Sequence, residues 1–389
     1  MSVKEPTVIS LFTGAMGLDL GFEQAGFNIC VAVDKDKYAI ATLKANRPQI
    51  PVIHEDLSGM STSQILKKAG LEVGDATVLT AATPCEPFST IGKRMSVVDK
   101  RASLIHGFVQ IIQEAQPLYW VFENVPGLLR AARRHISFYK RTAPGYSEKS
   151  DERLGSAWED ILTSFEQTSY RIHYALLNAA DYGVAQKRKR LIVIGSREGK
   201  SVEFPAPTHA EPTSPLVNAG VLRPWETVGD ALYEFNDPYP QWREFPSWGR
   251  FLSLVPEGGD WRDLPARLQK KAIGNAYESS GGRTGFLRKL SRAKPSPTLV
   301  DSPTTRAACL CHPILNRPLT VGEYLRLQGF PINWTVEGPL SIKYRLIGQA
   351  TPPPLAFSIA QAIMESHRAR LLVTNTTAKN LKYAVPSIC

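Results

Sequence analysis

The chain has 389 residues, 43% hydrophobic and 21% charged, enough for one large domain with a sizeable core and a second, smaller one. No run approaches the apolar length needed to cross a bilayer, and the N-terminal MSVKEPTVIS lacks the apolar core of a signal peptide. Composition therefore excludes a membrane role and sets the expectation of a cytoplasmic protein, while the net charge of +10 favours a polyanionic partner.

The first 200 residues alternate strand-like and helix-like runs. TVISLF (Thr7–Phe12) reads as a short apolar strand, followed by glycines and the amphipathic LDLGFEQAG. ICVAVD (Ile29–Asp34), a helical KYAIATLKANR, ATVLTAA (Ala76–Ala82) and a helical LIHGFVQIIQEA come next. LYWVFEN (Leu118–Asn124), a helix around Trp158–Gln167, RIHYALLNA and RLIVIGS (Arg190–Ser196) complete the series. This alternation predicts an α/β fold with a parallel sheet covered on both faces. From about residue 200 to 260 prolines crowd in and helical periodicity fades, which predicts a separate, loop-rich unit. Helices return at TVGEYLRLQG and at PPLAFSIAQAIMESHRARLL, whose apolar face suits packing back on the first domain. The last dozen residues read as a tail.

Residues 261–294 hold nine Lys and Arg, among them Arg267, Lys271, Arg283, Arg288 and Lys289, against only Asp263 and Glu278. A basic block rich in Gly and Ser suits a phosphate-tracking surface, because neutralising phosphates releases counterions; a plain solvated face is the alternative. The five scattered cysteines argue against a disulfide framework, and CLCHP (Cys309–Pro313) has no second ligand pair, so no metal is expected.

Three strand ends carry ligand-binding signals. LFTGAMGLDLGF places Gly14, Gly17 and Gly21 after the first strand, where a backbone can approach a ligand closely. Asp34 ends the next strand about twenty residues on, where an acid accepts hydrogen bonds from ribose hydroxyls, and Asp56 follows a third strand. These positions predict a nucleoside ligand without separating NAD from S-adenosylmethionine. LTAATPCEPFST then sets Cys85 where a strand gives way to a loop, and FENV sets Glu123 at the end of the apolar LYWVF strand. QKRKR (Gln186–Arg190) opens a strand whose alternation puts Gln186, Arg188 and Arg190 on one face and Lys187 and Lys189 on the other.

With these segments in hand, the sequence resembles the cytosine-C5 DNA methyltransferases over nearly its whole length. The family's motifs appear in order as LFTGAMGLDLGF, VDKDKYA, EDL, TPCEPFS, DKRASLI, FENVPGLL, QKRKRLIVIG, RPLTVGEYLRLQGFP and IGQATPPPLA. The resemblance implies a Rossmann-like S-adenosylmethionine-dependent methyltransferase sheet with helices on both faces, plus a smaller loop-rich target-recognition domain. It divides the chain into a catalytic domain (1–198), a recognition domain (199–335) and a C-terminal segment returning to the catalytic domain (336–389).

Cytosine C5 is a poor nucleophile. Thiolate addition to C6 breaks the aromaticity and gives C5 enamine character, and an acid at N3 offsets the charge that builds. The resemblance assigns the thiol to Cys85 and the acid to Glu123, whose burial would raise its pKa. It sets Arg190 at the base's O2, with Arg188 in support. For S-adenosylmethionine, whose product is S-adenosylhomocysteine, it implies Phe12 against the adenine and Asp34 on the ribose. Asp56 and Leu57 fall at the adenine edge, Pro84 and Leu104 wall the pocket, and Thr13, Gly14, Gly17 and Leu18 form the first turn. Asn178 and Asp181 are expected to orient the strand before QKRKR.

The reacting carbon lies inside a duplex, so the base must flip into this pocket. The recognition domain would then read sequence. Arg283, Arg288 and Lys289 of the basic block, with Thr298 and Leu299 of SPTL, are the candidate DNA-binding residues. The implied partners are double-stranded DNA and, functionally, a cognate restriction endonuclease, with the chain a monomer in a bacterial cytoplasm. Four positions depart from the commoner pattern. Met16 stands at a usual glycine, Lys35 at an aromatic and Gln349 at an asparagine, and Glu86 replaces glutamine beside Cys85, so it should point away or pair with Lys93 or Arg94. The alternatives are a tRNA cytosine methyltransferase of the same family, whose Cys-Phe-Thr signature is absent, a catalytically decayed DNA-binding homologue, and a nicotinamide oxidoreductase.

Overall fold

A computed structural model describes residues 5–83, 102–197, 201–278 and 283–382. Its centre is a mixed seven-stranded sheet. The strands are β1 (Thr7–Leu11), β2 (Asn28–Val33), β3 (Val52–Ile53), β4 (Val78–Ala82), β5 (Tyr119–Asn124), β6 (Arg171–Asn178) and β8 (Lys189–Ser196), and the order is β3-β2-β1-β4-β5-β8-β6. A two-residue β7 (Gln186–Lys187) precedes β8 and pairs with the later β11 (Ser296–Pro297). The pair β9 (His209–Ala210) and β10 (Arg223–Pro224) lies in the loop-rich segment.

The expectation of a wholly parallel sheet is corrected at one strand: β8 runs antiparallel to both β5 and β6. The connection from β6 to β8 spans only residues 179–188, whereas a parallel crossover needs about a dozen residues or more. The chain therefore turns back beside β6 and fills the gap next to β5.

Period-two alternation explains why the sheet is covered on both sides. In β5, Tyr119 and Val121 enter one apolar cluster while Trp120 and Phe122 enter another, and in β8 Ile192 and Ile194 part from Leu191 and Val193 in the same way. The first cluster includes residues of α1 (Gly17–Gln24), α2 (Lys37–Asn46), α10 (Val321–Gln328), α11 (Leu340–Gln349) and α12 (Pro353–Lys382). The second is covered by α3 (Thr62–Ala69), α4 (Ala102–Ala115) and α6 (Ser156–Glu166); a short α5 (Phe138–Arg141) lies in the connection before α6. Side chains fix the helix starts: Asp36 accepts from the Tyr38 N–H, and Ser61–Gln64 and Thr320–Glu323 form reciprocal caps.

Helix α12 packs directly on α1. A Cβ on Gly21 would come within 2.4 Å of both Ala356 Cβ and the Phe357 nitrogen, so glycine sets that separation. The loop-rich segment carries short α7 (Pro215–Asn218) and α8 (Val228–Leu232), then α9 (Ala266–Ile273). A third cluster, including Phe251, Leu252, Trp261, Ile273, Leu287, Cys309 and Cys311, gives residues 251–311 a small core of their own. Val228, Leu299 and Leu319 instead join the first cluster and tie this segment to the sheet.

Candidate active site

The C-terminal ends of β1, β2, β4 and β5 open on a cavity of about 310 Å³. Its floor is the turn after β1. Phe12, Gly14 and Met16 all adopt left-handed backbone (φ 58°, 53° and 65°), which folds the chain sharply into α1. The Phe12 N–H donates to the Val33 carbonyl (2.9 Å), and the Gly14 N–H to Asp34 Oδ2 (2.9 Å). Met16, fully buried in the first cluster, turns its side chain away from the opening and caps α1 without a side-chain hydrogen bond. A Cβ on Gly17 would sit 2.0 Å from the Thr351 carbonyl oxygen, so the turn can lie against the segment between α11 and α12 only with glycine there.

Of the expected cofactor residues, Phe12, Thr13, Gly14, Gly17, Leu18, Asp34 and Leu104 line this cavity. Asp34 is half-buried, the desolvation raises its pKa, and its second oxygen accepts from the Asp36 N–H (2.8 Å). Asp56 stands off the cavity. Its Oδ1 accepts from the Ser58 N–H and hydroxyl, which hold its pKa below the ordinary carboxylate value, and Oδ2 lies 3.2 Å from Lys35 Nζ. Lys35 itself lines the cavity, so the lysine stands between Asp56 and the opening. Leu57 is 7% exposed and belongs to the second apolar cluster.

Cys85, Pro84 and Glu86, with Lys93 and Arg94, lie outside the described residues. Thr83, two positions before Cys85 in the sequence, lines the cavity, and its hydroxyl accepts from Asn124 Nδ2 (2.8 Å). The register of β4 and β5 sets Ala82 opposite Glu123. Glu123 and Arg190 both line the same cavity and are nearly sealed from solvent, with Arg190 Nε 2.7 Å from Glu123 Oε1. Burial raises the Glu123 pKa, outweighing the pull of the Arg190 and Arg188 guanidiniums. Arg188, fully buried, donates to the Leu299 carbonyl (3.2 Å). The alternation read in QKRKR is visible in burial: Gln186, Arg188 and Arg190 are inside, Lys187 and Lys189 outside. Asn178 Nδ2 donates to Asp181 Oδ1 (3.2 Å), which also accepts from Trp225 Nε1 (2.8 Å), fixing the turn that leads into β7.

Gln186 joins this strand start to the recognition segment. Its Oε1 accepts from the Leu299 N–H (2.9 Å), and its Nε2 donates to Gln328 Oε1 (2.5 Å). Gln328 in turn donates to the Ala350 carbonyl (2.6 Å), beside the cavity. Thr298 donates from its hydroxyl to the Lys187 carbonyl (2.9 Å). The candidate DNA-facing residues divide by burial. Lys289 is 8% exposed with Nζ on Asn316 Oδ1 (2.7 Å), Leu299 is 1% exposed, and burial lowers the pKa of Arg288. Lys289 and Leu299 thus frame the recognition segment from inside, while Arg283, Arg288 and Thr298 keep partial exposure.

Several lining residues were not singled out as ligand-facing in the sequence: Ser10, Asp19, Asp36, Val125, Arg345 and Thr351. Arg345 of α11 pairs with Asp36 at the start of α2, closing one rim of the cavity with residues far apart in the chain. Among the described residues no group of three or more His, Cys, Asp or Glu is placed to hold a metal ion. Cys311 is buried, its thiol pKa pushed up to about 12.

The donor set fits S-adenosylmethionine: a glycine-bearing turn before an uncapped helix start, an acid ending the second strand, and a buried carboxylate oxygen, Asp19 Oδ1, that accepts no hydrogen bond from the described residues. Residues 6–365 match the family described as C-5 cytosine-specific DNA methylase. The chain is 35% identical over 364 residues to the type II methyltransferase M.PspPI of Psychrobacter, covering 92% of this chain and 79% of that protein. To M.Eco47II of Escherichia coli it is 33% identical over 362 residues, covering 92% and 78%. Among solved structures, the Entamoeba histolytica methyltransferase EhMeth superposes with a TM-score of 0.60 at 15% identity, covering 94% of this chain and 99% of that one.

Proposed function

Because the chain belongs to the C-5 cytosine-specific DNA methylase family, we propose that it methylates C5 of a cytosine flipped out of duplex DNA. S-adenosylmethionine, when bound, supplies the electrophilic methyl group. The observation that carries this reading is the buried Glu123–Arg190 pair, which opens into the same cavity as the Gly14–Asp34 turn.

The Cys85 thiolate adds to C6, and the electron pair moves towards N3. Glu123, whose burial favours its protonated form, offers a hydrogen bond at N3 to offset that charge. Arg190, held against Glu123, presents its guanidinium to the base's O2. Once C5 has taken the methyl group, loss of the C5 proton to a base re-forms the double bond and expels Cys85. Phe12, Asp34 and Leu104 hold the nucleoside part of the donor, and Lys35 rather than Asp56 borders the adenine. Gln186 and Arg188 brace the recognition segment against the catalytic strand through Leu299.

Sequence would be read by the segment 199–335, with Arg283, Arg288 and Thr298 as its DNA-side candidates. The type II designation of the relatives supports pairing with a cognate restriction endonuclease. The proposed working form is a monomer in the cytoplasm. A duplex carrying 5-fluorocytosine tests the chemistry, because fluorine cannot leave C5 as a proton does. Wild type with S-adenosylmethionine should form a denaturant-resistant adduct with this duplex, and Cys85→Ala should form none. An adduct of equal yield in the variant would refute Cys85 as nucleophile.

A further inference from the structure

Asp19 is the third residue of α1, in the buried first turn of a helix whose N-cap, Met16, supplies no side-chain hydrogen bond. It lines the cavity and is 1% exposed. Its Oδ2 accepts from the Thr13 hydroxyl, whereas Oδ1 accepts no hydrogen bond from the described residues. Among the described residues it has no ion-pair partner. The charged groups that act on it most are two further carboxylates, Glu23 and Asp34. A buried carboxylate among like charges is costly unless a cation reaches it.

The other carboxylates lining the cavity each have a partner within the protein. Asp34 accepts from the Gly14 and Asp36 N–H groups, Asp36 pairs with Arg345, and Glu123 pairs with Arg190. Among the described lining carboxylates, Asp19 alone has a buried oxygen with neither a hydrogen bond nor an ion pair. The same turn of α1 presents helix-start N–H groups, which favour an anion. An uncapped helix start beside an uncompensated carboxylate is complementary to an amino acid's zwitterion.

We propose that Asp19 Oδ1 receives the α-ammonium group of the cofactor's amino-acid moiety, making Asp19 the residue that selects an amino-acid-bearing nucleoside over one with an uncharged chain. This rests on the methyltransferase reading above and adds a residue and a specificity to it. The Thr13 hydroxyl, donating to Oδ2, holds the carboxylate in place from the turn.

Calorimetric titration of the full chain with S-adenosylhomocysteine, and with its analogue lacking the amino group, tests the proposal without turnover. Wild type should prefer the ammonium-bearing ligand by about tenfold or more, as expected for a hydrogen bond between charged groups. In Asp19→Asn, and in Asp19→Ser as a second variant, the two ligands should bind within about twofold of each other. Equal affinity in wild type would overturn the proposal, and that comparison stands even if a variant does not fold. A variant that keeps the preference, or weakens both ligands alike, would also overturn it. Wild type that binds neither ligand would overturn this proposal and the methyltransferase reading together, whereas loss of the preference alone leaves that reading intact.

Discussion

Asp19→Asn should make the free protein more stable at neutral pH while weakening its grip on the cofactor product. Burial pushes the Asp19 carboxyl from the ordinary 3.8 up to about 6, against the lowering influence of the Ser10 and Thr13 hydroxyls and with Glu23 and Asp34 adding repulsion. A folded-state value above the unfolded one contributes stability that is complete below the unfolded pKa and is lost as pH rises through the folded one. That difference corresponds to about 3 kcal/mol, lost between roughly pH 4 and pH 7. Asparagine has nearly the same shape and never ionises, so the variant escapes the loss. At roughly 2 cal/mol/K per residue, unfolding a chain of this length carries an entropy of about 0.8 kcal/mol/K, so about 3 kcal/mol is worth roughly 4 °C. Differential scanning calorimetry of both proteins without ligand, from pH 4 to pH 8, reads the effect directly. The melting temperature of the variant minus that of wild type should grow by roughly 4 °C across that range. A difference that does not change with pH would show that Asp19 is not a buried, uncompensated carboxylate.

Four further outcomes are expected. Glu123→Gln should lower methyl transfer by about 10²–10⁴-fold, as for loss of an acid at the reacting base, with S-adenosylhomocysteine affinity unchanged. Because the folded site favours the neutral form of Glu123, the same variant should melt no lower than wild type at pH 8, a point thermal scans can check. Gly21→Ala should destabilise the chain by about 1–3 kcal/mol, measured in denaturant, because its Cβ would drive α1 from α12. Replacing the exposed Arg267 and Lys271 of α9 by alanine should weaken duplex binding and reduce the slope of log affinity against log salt by about 2; an unchanged slope would place that face away from DNA.

The sheet was legible because each strand is an apolar run closed by a turn signal, from TVISL to RLIVIG. The direction of β8 was not legible, since a fully buried strand has the same pattern whichever way it runs. Only the short link from Asn178 to Lys189 carries that information, and it resembled a loop. The basic block misled in part. Its charge count ignores that Arg262, Lys270 and Arg292 pair with Asp260, Glu278 and Glu257, and that Lys289 turns inward to Asn316. Asp56 seemed to offer a free acid at a strand end, but Ser58 and Lys35 occupy both its oxygens. Asp19 is not legible as a ligand group, because a lone acid in an amphipathic helix normally faces solvent. A signal for it exists: Gly17 and Gly21, one turn apart, mark the face against Thr351 and α12, and Asp19 falls on the opposite side, towards Ser10 of the sheet. Arg345 and Thr351 reach the cavity from the far end of the chain, which local periodicity cannot convey.

The central claim is best tested by methyl transfer from labelled S-adenosylmethionine to mixed-sequence duplex DNA and, separately, to tRNA, with the labelled base identified and Cys85→Ala run beside wild type. The account predicts 5-methylcytosine in DNA, absent in the variant. Label confined to tRNA, or no label in either nucleic acid while duplex binding persists, would contradict it.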